Sequence, residues 1–87
     1  MKKVEIIPIA QQKAKRRGIR KEEIEDAAIN PAQVVDGYGG RKMAHKKFFR
    51  DSKEYLLRVV DEETEENYTV VTAYITSQID RYWKEGS

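Results

Sequence analysis

The sequence predicts an α+β domain: two N-terminal helices, an antiparallel meander sheet of three to four strands, and a short C-terminal helix. Three observations carry that reading. Apolar residues recur at helical spacing as far as Asn30-Pro31. Beyond the glycine-rich stretch Asp36-Gly37-Tyr38-Gly39-Gly40 they alternate instead, with β-branched and aromatic residues enriched. The 87 residues are enough for one buried core and too few for two, so residues 1–87 form a single domain.

Each element follows from local chemistry. Lys3-Val4-Glu5-Ile6-Ile7 alternates briefly and reads as a short edge strand or an extended lead-in. Pro8 suits the first turn of a helix, where its missing N–H would have no partner anyway. Ile9 to Arg17 are mostly good helix formers, and Gly18 is a natural C-terminal cap. Lys15, Arg16 and Arg17 fall in the last turn, where cations complement the helix dipole. A second helix runs from Arg20 to Ile29, with Glu22 and Glu23 in its first turn and Ile24, Ala27 and Ala28 on one face. Asn30-Pro31 ends it. Three strands follow, Arg41–Phe49, Tyr55–Asp61 and Tyr68–Thr76. In the last, Val71, Ala73 and Ile75 oppose Tyr68, Val70, Thr72 and Tyr74. Ser77 caps the closing helix, Asp80 completes a box-like signature, and Ile79, Tyr82 and Trp83 share the face that docks on the sheet.

Composition excludes several function classes. At 39% hydrophobic and 37% charged the chain is polar, yet its apolar residues are clustered and periodic, as in a folded domain. No apolar run approaches the roughly 20 residues of a membrane helix, and no signal peptide opens the chain. The expectation is a cytoplasmic protein without a membrane partner. With no cysteine there is no disulfide, thiol nucleophile or Cys-ligated metal. One histidine, His45, cannot build a transition-metal site alone, and the run Asp61 to Glu66 lacks the glycine and ligand spacing of a calcium loop. No phosphate-cradling glycine motif is present, and no serine has a histidine placed by motif to activate it. The expected cofactor and metal are none.

Charge is divided along the chain. Residues 1–50 hold 13 Lys and Arg against 6 Asp and Glu, whereas residues 51–87 hold 4 against 9. The most basic strand carries Arg41, Lys42, His45, Lys46 and Lys47. Alternation puts Arg41, His45 and Lys47 on one face and Lys42 and Lys46 on the other. Its plain reading is an edge strand whose lysines discourage pairing with other sheets. Its functional reading is a phosphate-binding surface, with Arg58, Tyr74, Arg81 and Tyr82 as neighbours. Tyrosines at such spacings also serve simply as core residues with a wet hydroxyl. Two short helices cover one sheet face well; unless the third helix folds over the other, that face is left for a partner, a second copy included.

At Arg17-Gly18-Ile19, Glu22-Glu23-Ile24, Asn30-Pro31 and Val70-Val71-Thr72-Ala73-Tyr74-Ile75-Thr76-Ser77 with Arg81-Tyr82-Trp83, the chain resembles a family of small prokaryotic domains. These are largely uncharacterised and related in layout to RelE-type and BrnT-type toxins. The resemblance spans Ile9 to Lys84, and its closing stretch is the most specific part. Family members often place a histidine where this chain has Ile9, and Ser or Thr where it has Arg20. The resemblance implies a metal-independent ribonuclease of a toxin–antitoxin pair, with RNA as substrate and an antitoxin as partner. On that reading Arg41, Lys42, Lys46, Lys47, Arg58 and Arg81 bind RNA phosphates. His45 transfers protons, its ordinary pKa of about 6.5 lying near neutrality. Tyr74 and Tyr82 join it in the catalytic set, orienting a base or the 2′-hydroxyl. The competing reading is a non-catalytic protein-interaction or accessory domain whose lysines only keep it in solution.

Overall fold

A computed structural model describes residues 2–84. In chain order the elements are β1 (Lys3–Ile6), α1 (Pro8–Arg16), α2 (Lys21–Ile29), β2 (Gln33–Asp36), β3 (Lys42–Arg50), β4 (Lys53–Glu63), β5 (Asn67–Thr76) and α3 (Ile79–Tyr82), with a 3-10 turn at Tyr38–Gly40. The strands form one five-stranded sheet in the order β1-β5-β4-β3-β2. The architecture is α+β, but the sheet is larger than the expected three or four strands, and it is mixed. β1 runs parallel to β5, from Lys3 opposite Asn67 to Ile6 opposite Val70, while the other pairings are antiparallel.

Both helices form where propensity and caps direct. Pro8 opens α1. Gly18 just past its end takes φ +73°, which a β-carbon would strain. At the start of α2 the Glu23 carboxylate accepts the Arg20 N–H at 2.9 Å. That is half of a capping box, because an arginine side chain has no acceptor to return the bond. Both helices lie on one sheet face. Ala10, Ala14, Ile24 and Ala27 pack there with Ile6, Ile19, Ala44, Leu57, Val59, Val70 and Ala73. Fully burying residues such as Ile24, Val59 and Val70 contributes roughly 2 kcal/mol each.

Three local expectations need correcting. The basic strand β3 is not an edge: β2 pairs with it from Gln33 opposite His45 to Asp36 opposite Lys42. Along β5, simple alternation fails between Val60 and Asp61 of β4, where the partners jump from Thr72 to Val70. Val71 is therefore the extra residue of a β-bulge, and Val70 joins Ala73 in the helix-side core rather than sharing a face with Tyr74. Finally, α3 is a single turn. It starts at Ile79, and the Thr76 hydroxyl, not Ser77, accepts a preceding backbone N–H, that of Gln78 at 3.0 Å.

Candidate phosphate-binding site

On the face away from α1 and α2, register lines up four polar side chains across four strands. Gln33 stands opposite His45, His45 opposite Arg58, and Arg58 opposite Tyr74. Sequence alone left open whether Arg58 faces His45; in the fold they touch. Arg58 Nε donates to His45 Nε2 at 3.0 Å, Nη1 donates to the Tyr74 hydroxyl, and Nη2 meets the Met43 sulfur at 3.2 Å. The His45 Nδ1–H donates to Gln33 Oε1 at 3.0 Å. That tautomer follows from the Arg58 contact, since Nε2 must be the acceptor.

The C-terminal segment straps this row down. Tyr82 sits over the guanidinium, ring centroid to Cζ 3.9 Å. Trp83 stacks on His45 with ring centroids 6.4 Å apart, and Lys47 Nζ lies 4.1 Å from the Trp83 ring centre. Gln33 clips the end: its Nε2 donates to the Lys84 carbonyl at 2.7 Å, and its Oε1 accepts the Lys84 N–H at 3.1 Å.

Burial decides what these groups can do. His45 is fully buried, and that burial, with the Arg58 charge beside it, pushes its pKa down to about 4. Near neutrality it is an uncharged acceptor with both ring nitrogens engaged. Arg58 is only 8% exposed, yet every partner of its guanidinium is neutral: an imidazole, a phenol, a thioether and two aromatic faces. Among the described residues no carboxylate forms an ion pair with it. A buried charge without a counter-charge costs several kcal/mol, and a sulfur is a weak acceptor for a guanidinium.

The other predicted phosphate ligands do not gather into one open surface. Arg41 is paired with Glu62 at 2.9 Å, Lys42 with Asp36 at 2.6 Å, and Lys46 with Asp26 at 2.6 Å. Lys46 also donates to the Asn30 carbonyl, so it belongs to the helix side of the sheet. Lys47 and Arg81 are different. Both line an open groove of about 520 Å³ between the sheet and α3, with Glu54, Ser77, Gln78, Ile79 and Asp80. Among the described residues no group of three His, Asp or Glu side chains stands close enough to share a metal ion.

Gln33 and Met43 were missed by sequence reasoning. Gln33 lies in a four-residue strand too short to show alternation, and a thioether offers no polar signal. Comparison with known proteins adds no constraint: no family model, curated protein or solved structure matches this chain.

Proposed function

We propose that this domain binds RNA and that Arg58 grips a backbone phosphate, in the manner implied by the resemblance to metal-independent toxin ribonucleases. The observation carrying this reading is the buried guanidinium with only neutral partners among the described residues. A phosphodiester supplies the missing negative charge and accepts charge-assisted hydrogen bonds from Nη1 and Nη2 in place of the phenol and the sulfur. Lys47 and Arg81 are the cations such a ligand meets on the neighbouring groove, with Glu54 and Asp80 opposing it there. In a cleavage step the 2′-hydroxyl gives up its proton and its oxygen bonds to phosphorus, while the P–O5′ bond breaks and the 5′-oxygen takes up a proton. A fixed arginine in a dry site offsets the charge that builds on the non-bridging oxygens. His45 then acts as a positioning residue, a neutral acceptor that aims Nε. Tyr74, half-buried and bonded to Arg58, is the candidate proton carrier.

The test is an Arg58→Met variant. Removing an unpaired buried charge offsets the lost hydrogen bonds, so stability should stay within about 1 kcal/mol of wild type. Binding of a single-stranded RNA at low salt should be lost, and growth arrest on expression, if the wild type causes it, should disappear. A folded Arg58→Met protein that binds RNA as the wild type does would end this reading.

A further inference from the structure

Alternation along β3 carries the Arg58 face outward to a bare aromatic ring. His45, Lys47 and Phe49 point to the same side, each about 6.7 Å from the next. Their intervening neighbours turn inward, Phe48 packing against the helix-side core. Phe49 is 72% exposed and lies next to the tight turn at Asp51 and Ser52 that joins β3 to β4. Around the strand edge there, on the helix side of the hairpin end, lies a group of cations with Glu22, Glu23 and Asp51 among them. Arg50 donates to the Gly18 carbonyl at 3.0 Å, which brings the α1–α2 turn, with Arg16, Lys21 and an Arg20 paired with Glu23 at 3.5 Å, against the hairpin end that also carries Asp51 and Lys53. An exposed aromatic between a fixed arginine and a cluster of cations is the arrangement of a single-strand nucleic-acid path, with rings for bases and cations for the backbone.

We infer that the ligand is single-stranded RNA laid along β3, its phosphate at Arg58 followed by backbone at Lys47 and a base stacked on Phe49. The cations at the β3–β4 tip hold the strand beyond. This rests on the reading of Arg58 as a phosphate ligand and adds a direction and a minimum length. Glu54 opposite Phe49, Asp51 in the tip turn and Asp80 beside Lys47 are opposing carboxylates on the path.

The experiment compares a uridine dinucleotide, which reaches Arg58 alone, with an oligouridylate of about ten nucleotides, which reaches the tip as well. Phe49→Ala should weaken the longer strand about tenfold, as loss of one stacked base does, and leave the dinucleotide unchanged. Phe49→Trp should restore binding of the longer strand. Glu54→Gln should tighten it, and Arg20→Glu with Lys53→Glu should flatten its salt dependence. If Phe49→Ala binds the longer strand like wild type while Arg58→Met loses both lengths, the path is wrong and the Arg58 site stands. If the wild type binds neither length, the Arg58 reading itself fails. If Phe49→Ala changes only the sedimentation coefficient, the ring serves a second copy of this chain and the inference is overturned.

Discussion

At the scale of single residues, two buried ionisable groups pull stability in opposite directions with pH. The His45 pKa is held near 4, below its ordinary 6.5, first by burial and then by Arg58. The unfolded chain therefore takes up the proton first, and stability falls as pH drops from 6.5 to 4. Asp61, buried at the β5 bulge, has its pKa raised to about 6 by burial and by Glu63, with Lys2 opposing. Here the folded state takes up the proton first, so stability rises as pH drops from 6 toward 3.8. Each shift corresponds to about 3 kcal/mol at full effect, and the signs cancel across nearly the same window. We expect the wild type to show a nearly flat denaturation midpoint from pH 7 to about 4.5. Asp61→Asn should be more stable at pH 7 and lose stability on acidification. His45→Gln should be less stable at pH 7 and gain on acidification. Urea titrations at the two pH values check this; parallel behaviour of the two variants would refute the opposed pair. Trp83, stacked on His45, gives an independent readout, because its fluorescence should titrate with a midpoint near 4.

Among the elements, those the sequence showed were the ones with strong periodicity or strong punctuation. Both helices, between Pro8 and Asn30-Pro31, came out within a residue or so of their ends. The strands with clear alternation became β3, β4 and β5. What was not legible was set by pairing. β1 was read as a short edge strand or a lead-in, and its place at the sheet edge bears out the first, but its parallel pairing with β5 was not visible. β2, four residues long, gave no period, and its strand character comes from docking on β3. The bulge at Val71 is invisible in a row of residues that all suit a strand. The site followed the same division. His45, Arg58 and Tyr74 were named from residue type, but only register joins them, and only α3 brings Tyr82 over the guanidinium. The β3–β4 turn supplies a test of element-level strain. Asp51 and Ser52 both take positive φ, 52° and 65°, as a two-residue hairpin turn of this kind demands, and neither is glycine. Ser52→Gly should therefore stabilise the hairpin by roughly 0.5–1 kcal/mol, read as a higher melting temperature. An unchanged or lowered midpoint would show that the turn is not strained.

Over the whole molecule, charge is sorted by the length of one strand. β4 spans 11 residues, so its two hairpin ends lie about 35 Å apart. One end carries Arg50 and Lys53 beside the α1–α2 turn. The other carries Glu62, Glu63, Glu65 and Glu66. Arg41, Lys42 and Lys2, which sit toward the acidic end, are held in ion pairs with Glu62, Asp36 and Glu63. A polyanion thus meets Arg50 and Lys53, which form no ion pair among the described residues, at one end and repulsion at the other. The same sorting also fixes how far the repulsion reaches. Ions screen exposed charges within about 8 Å at physiological salt and about 30 Å at 0.01 M. Neutralising Glu65 and Glu66, which form none of the ion pairs among the described residues, should therefore barely change RNA affinity at physiological salt, staying within about twofold. At 0.01 M the same Glu65→Gln/Glu66→Gln protein should bind several-fold more tightly, because the two ends then lie within about one screening length of each other. Equal tightening at both salt concentrations would mean that the RNA touches the acidic hairpin, and a path running from Arg58 to the basic tip would have to be given up.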